Sequence, residues 1–90
     1  MNIIWLATAV IMRKQQISYL LDVNPLAALM MDIEIDKKVN RLRDNPEIGR
    51  IGRVQGTREL VIQRTPYILS YRIKNQQIEV ICLLHGAQKG

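Results

Sequence analysis

His85, Arg58 and Arg72 carry the most specific chemistry available to this chain of 90 residues. Cleavage of RNA by its own 2′-hydroxyl needs a group to take the hydroxyl proton, cations to neutralise the phosphorane-like transition state, and an acid for the leaving oxygen. His85 suits the first or third task, because an imidazole at a strand end can stay solvated and can both accept and donate a proton. Arg58 and Arg72 suit the second. A strand-end histidine with no catalytic task is the plainer reading of the same residue. Strand alternation turns Glu59 away from Arg58, and no acid is placed around Ser70, so no serine–histidine–acid arrangement follows. With one Cys and one His, the chain cannot assemble a zinc cluster of its own. Gly49-Arg50-Ile51-Gly52 lacks the lysine–serine pair of a phosphate-binding loop and reads as a flexible connection. No metal and no cofactor are expected.

The charge is unevenly spread. Up to Ile48, six basic residues face six acidic ones; from Gly49 onward there are seven, Arg50, Arg53, Arg58, Arg64, Arg72, Lys74 and Lys89, against Glu59 and Glu79. The whole net charge of +5 therefore belongs to the second half. Five of those seven are arginines, whose rigid fork suits phosphate and carboxylate. Two readings follow: a solvated face on a basic protein, or a surface that meets nucleic acid or an acidic protein segment. Cys82 stands alone in an apolar strand pattern, so no intramolecular disulfide can form, which suits a reducing cytoplasm. Met1 to Val10 is too short to span a bilayer and lacks the pattern of a signal peptide.

The elements that position these residues follow from hydrophobic periodicity. Asn2 to Trp5 reads as a short strand. A helix is expected from about Ala7 to Leu21, with Ala9, Met12, Tyr19 and Leu20 facing inward and Arg13, Lys14, Gln15 and Gln16 interrupting its apolar stripe. Asn24 caps a second helix and Pro25 occupies its first position, where the missing N–H costs nothing. Ala28, Met31, Ile35, Val39 and Leu42 recur at spacings of three and four, with Asp32, Glu34, Asp36, Lys37 and Lys38 on the wet side. Asn45-Pro46 stops that helix. Pro46 to Gly56 is an irregular loop or short edge strand. The period then falls to two, giving strands at Arg58 to Gln63, Tyr67 to Ile73 and Gln77 to Leu84. Thr65-Pro66 makes the first connection and Asn75-Gln76 a two-residue hairpin turn. In the middle strand, Tyr67, Leu69, Tyr71 and Ile73 share one face and Ile68, Ser70 and Arg72 the other. In the last, Ile78, Val80, Cys82 and Leu84 oppose Glu79, Ile81, Leu83 and His85. The fold class is α/β of the α+β kind: a short strand and a two-helix hairpin on a twisted, mainly antiparallel sheet, one domain over residues 1–90.

The chain resembles the ParE/RelE superfamily of small toxins from bacterial type II toxin–antitoxin modules. The resemblance rests on Trp5, Ala9 and Tyr19-Leu20, on Asn24-Pro25 with Ala27-Ala28, and on Asn45-Pro46, Gly49-Arg50 and Gly52-Arg53-Val54. It continues through Gly56-Thr57-Arg58-Glu59-Leu60, Thr65-Pro66-Tyr67-Ile68, Tyr71-Arg72-Ile73 and Leu84-His85-Gly86-Ala87-Gln88. It implies a cytoplasmic, growth-inhibiting toxin of the kind that stabilises plasmids. A cognate antitoxin with an acidic, partly disordered segment would neutralise it and meet the basic second half, Arg50, Arg53, Arg58, Arg64 and Arg72 included. Operator DNA would be contacted only through the antitoxin, and no membrane is involved. Two targets occur in the superfamily. ParE-like members poison DNA gyrase, whereas RelE-like members cut messenger RNA in the ribosomal A site. Arg58, Arg72 and His85 match ribonucleolytic positions, while Gly52-Arg53-Val54 to Glu59 also looks ParE-like. The sequence ends at Gly90 without the tyrosine or the Trp-Pro seen after the histidine of several nuclease relatives. Arg13 and Gln16 stand where the family is usually apolar, which points to weakened packing or a remodelled hairpin. The expected order is a gyrase-directed toxin, then a ribosome-dependent endoribonuclease, then a non-toxic protein that only binds its antitoxin.

Overall fold

The computed structural model describes residues 1–86; Ala87, Gln88, Lys89 and Gly90, which carry the end of the resemblance and one of the basic residues, lie outside the described residues. In chain order the elements are β1 (Asn2–Trp5), α1 (Ala7–Val23), α2 (Pro25–Arg41), β2 (Arg50–Ile51), β3 (Arg58–Val61), β4 (Tyr67–Lys74) and β5 (Gln77–His85). The sheet order is β1-β5-β4-β3-β2, with β1 parallel to β5 and every other pair antiparallel. The expected α+β architecture is the observed one.

Asn24 joins the two helices by serving both. Its backbone N–H donates to the Leu20 carbonyl at 2.7 Å and closes α1, while its side chain accepts from the Ala27 N–H at 3.1 Å and opens α2. The stripe Ala28, Met31, Ile35, Val39 and Leu42 is buried throughout. Met31, Ile35, Val39 and Leu42 of the stripe pack with Ala9 of α1 against Leu60, Leu69, Tyr71, Ile78, Val80 and Leu83 of the sheet. Each large aliphatic side chain so buried contributes about 1.5–3 kcal/mol. Two helix expectations need correction. Tyr19 is exposed rather than inward, and the inner side of α1 is completed by Ile17 beside Met12 and Leu20. Glu34 is buried rather than on the wet side, 3.7 Å from both Lys37 Nζ and Arg64 Nη1.

The departures at Arg13 and Gln16 do not loosen the hairpin. Arg13 lies across the helix pair, 2.6 Å from Asp32 Oδ1 and 2.9 Å from Asp36 Oδ1, with its guanidinium over the Trp5 ring at 5.0 Å. One cation thereby relieves the repulsion between two carboxylates a turn apart. Gln16 accepts a hydrogen bond from the Tyr67 hydroxyl and ties α1 to β4.

β5 departs from simple alternation. Ser70 pairs with Cys82 but Tyr71 with Val80, so Ile81 is a bulge with no partner on β4. The bulge flips the faces: Leu83 and His85 join Ile78 and Val80 on the helix side, and Cys82 and Leu84 pass to the other side. The Asn75-Gln76 turn holds both residues in the left-handed region, φ 52° and 61°, the geometry that matches strand twist in a two-residue hairpin. β3 ends at Val61, two residues earlier than expected, though Ile62 stays buried and its N–H donates to the Tyr67 carbonyl at 3.1 Å.

Candidate functional site

The candidate residues fall into place once register is known. Tyr67 pairs with His85, and the two rings meet edge to face with centroids 5.4 Å apart. Arg58 pairs with Tyr71, four residues further along β4, which is about 14 Å at strand rise. Leu69 and Leu83 are packed between them. Arg72 is five residues from Tyr67, about 17 Å, and on the opposite sheet face. The structure therefore brings Arg58 and Arg72 to one end of the sheet and leaves His85 at the other.

Both arginines are engaged. Arg58 Nη1 donates to the Gly49 carbonyl at 2.8 Å and to that of Glu47 at 3.2 Å, bracing the loop before β2. Tyr71 fixes the same loop from below: its fully buried hydroxyl donates to the Pro46 carbonyl at 2.8 Å and accepts from the Gly49 N–H at 2.9 Å. Residue 49 must be glycine here, since a Cβ would lie 2.7 Å from the tyrosine oxygen. Arg72 Nε donates to Glu79 Oε1 at 2.6 Å across the β4–β5 pair.

On the face away from the helices, Arg50, Glu59, Ser70 and Cys82 form one row across four strands. The Glu59 carboxylate is its hub. It accepts from the Arg53 backbone N–H and Nε, each at 3.1 Å, and from Arg50 Nη2 at 3.3 Å. The Arg53 N–H does most to hold this carboxyl below its usual value; burial opposes it, and the two guanidiniums add to the lowering. Burial pushes the Cys82 thiol up and keeps it protonated, against a hydrogen bond with Ser70. Neither residue is poised for proton transfer.

A second surface has no counterpart among the residues singled out by chemistry. Leu26, Leu29, Met30 and Ile33 are all exposed on α2, joined by Tyr19, Leu21 and Val23 from the end of α1. Their spacing of three, one and three is itself a helical stripe, on a different side of α2 from the core stripe. That spacing was the signal in the sequence. Tyr19, Leu20, Ala27, Met30, Met31 and Tyr67 line an apolar groove of about 350 Å³. Glu34 and Arg64 border it and also border a polar depression of about 160 Å³ with Lys37, Lys38 and Arg41. Of the five arginines considered for partner binding, Arg64 is at this groove. A larger hollow of about 590 Å³ beside Trp5, Val10 and Ile17 belongs to the Arg13 bridge and holds none of the candidate residues.

Residues 3–90 match the family described as the ParE toxin of the type II toxin–antitoxin system parDE. The chain belongs to the ParE toxin family. It is 38% identical over 66 residues to a candidate toxin, Y4kP of Sinorhizobium fredii, covering 73% of this chain and 68% of that protein. Its fold is similar to a chain of a chromosomal ParDE toxin–antitoxin system from P. aeruginosa, with TM-score 0.84, 24% identity and coverage of 94% and 95% of the two chains. It is also similar to a YoeB/ParE toxin from Agrobacterium tumefaciens, with TM-score 0.64, 16% identity and coverage of 94% and 98%. Among the described residues of this toxin, no helix is long and apolar enough to cross a membrane.

Proposed function

We propose that this toxin acts by binding and inhibiting a protein target, DNA gyrase, rather than by cutting RNA, and that a cognate antitoxin neutralises it. The observation that carries the first part is the separation of His85 from Arg58 and Arg72. In-line cleavage needs a proton-transfer group and phosphate-binding cations around one phosphodiester. Here about 14–17 Å of strand lies between them. Inhibition by binding asks for no such set. For the antitoxin, the hairpin groove offers apolar area to a folding segment, and Arg64, Lys37, Lys38 and Arg41 beside it offer charge to its acidic residues. Arg50, Arg53, Arg58 and Arg72 stand apart from that groove, at the far end of the sheet.

Purified toxin added to gyrase with supercoiled DNA, and in parallel to ribosomes translating a defined message, tests the proposal. Gyrase-linked DNA breaks with an uncut message are expected. Cleavage of the message in the A site without DNA breaks would replace this reading with the endoribonuclease one.

A further inference from the structure

We infer that the sheet end formed by the β2–β3 loop and the last residues of β4 is the surface by which the toxin holds its target, and that the target presents there an acidic protein surface with an apolar centre. The inference rests on the reading of the toxin as an inhibitor that works by binding a protein.

Two features coincide at this end. Ile51 is 76% exposed and Val54 64%, and Ile51 lines with Ile73, Thr57, Arg58, Arg72 and Glu47 a depression of about 290 Å³. Exposed aliphatic side chains on a two-residue edge strand and its turn do nothing for this fold, and their grouping is what an interface core needs. Around them the charge is layered. Glu59 is 5% exposed beneath Arg50 at 54% and Arg53 at 41%, and Glu79 is 18% exposed beside Arg72 at 40%. These two carboxylates lie deeper than the guanidiniums they hold, whereas Glu47, 76% exposed, stands 3.7 Å from Arg58 at the depression. With Arg50, Arg53, Arg58 and Arg72 against Glu47, Glu59 and Glu79, the surface shown to a partner keeps a basic excess. Arginines already held by less exposed carboxylates lose little further freedom on binding. Ile51 and Ile73 lie on the Tyr71 side of this sheet end and Arg50 and Arg72 on the other, so a protein that grips the β2 edge meets an apolar centre on one side and cations for its aspartates or glutamates on the other. A phosphodiester backbone would use the arginines and leave the isoleucines idle.

This end is also separate from the hairpin groove. Tyr67 borders the groove and Ile73 the depression, six residues apart on β4 and thus about 20 Å. A segment seated only in the groove leaves the sheet end uncovered.

Growth inhibition on induced expression, antitoxin affinity by calorimetry and gyrase binding are measured for wild type, Ile51→Glu/Val54→Glu and the milder Ile51→Ala/Val54→Ala, whose exposed positions the fold tolerates. We expect the glutamate pair to weaken target binding about tenfold or more and relieve growth inhibition, and the alanine pair to do so less. Antitoxin affinity should stay within about threefold for both, as for distant sites, which also shows that the variants fold. Growth inhibition that survives the glutamate pair overturns the inference. So does antitoxin affinity that falls as far as toxicity, which would give this end to the antitoxin. Toxicity that withstands the glutamate pair but is lost in Arg72→Gln would assign the arginines to a phosphate-bearing partner and likewise overturn it. If the glutamate pair abolishes toxicity while wild type neither binds nor poisons gyrase, the surface stands and the gyrase reading falls. A wild-type chain that does not inhibit growth contradicts both.

Discussion

The helical hairpin and the sheet leave opposite kinds of surface for a partner. On α2 one apolar stripe is buried in the core and a second, Leu26, Leu29, Met30 and Ile33, is exposed. At the far end of the sheet the guanidiniums of Arg50, Arg53, Arg58 and Arg72 are each tied to a carboxylate or a carbonyl, beside the exposed Ile51 and Val54. A ligand for the hairpin gains mainly by covering apolar area, a contribution that salt hardly weakens. A ligand for the sheet end is steered by charge and depends on ionic strength. On the proposal that the hairpin takes the antitoxin and the sheet end the target, one 90-residue chain separates two recognition tasks by their physics.

The comparison can be broken most severely from the helical side. Val39→Asp puts a carboxylate into the buried stripe and should cost about 3 kcal/mol or more, enough to unfold a domain this small. A thermal melt coincident with wild type would remove Val39 from the core. The matching change on the sheet side is gentler. Tyr71→Phe keeps the ring but strands the Gly49 N–H and the Pro46 carbonyl, and should cost about 1–3 kcal/mol in urea denaturation. A loss as large as that of Val39→Asp would mean that the loop, not the helix stripe, governs stability.

Glu59 sharpens the electrostatic half. Its carboxyl is held below the ordinary value of 4.5, so its contribution is complete above that pH and is lost as the pH falls through the lower folded value. Glu59→Gln should therefore melt below wild type at neutral pH, and the two curves should converge on acidification. A constant gap down to the lowest pH would contradict the hub. Arg13 gives the smallest effect. Asp32 is half-exposed and Asp36 largely exposed, so Arg13→Met should cost about 0.5–1 kcal/mol, less in high salt.

These two regions also differ in how far the sequence reveals them. Asn24-Pro25 and the stripe from Ala28 to Leu42 mark α2 because capping and a period near 3.6 are local facts. Asn75-Gln76 marks its turn for the same reason. β5 is less legible, since Ile81, Cys82, Leu83 and Leu84 are all apolar and nothing in their order says where a bulge falls. His85 changes faces with that bulge, so its distance from Arg58 and Arg72 depended on register, a property of two strands together. Glu34, Asp32 and Asp36 read alike as wet-side acids; the basic residues brought to them from other elements, Arg64 and Arg13, set their roles. The exposed stripe on α2 was present in the spacing, but a helix apolar on two sides shows which one is the core only when the sheet is in place.

The central claim is that toxicity needs a binding surface and no proton-transfer group. Growth inhibition by His85→Gln, compared with wild type at matched expression, tests it most directly. The account predicts equal arrest, with the fold and antitoxin binding kept and a stability loss no larger than the ring contact with Tyr67, about 0.5–1.5 kcal/mol. Arrest lost in His85→Gln, together with a loss of about 10²–10⁴ in the rate of message cleavage by the wild-type chain and with fold and antitoxin binding intact, would contradict it.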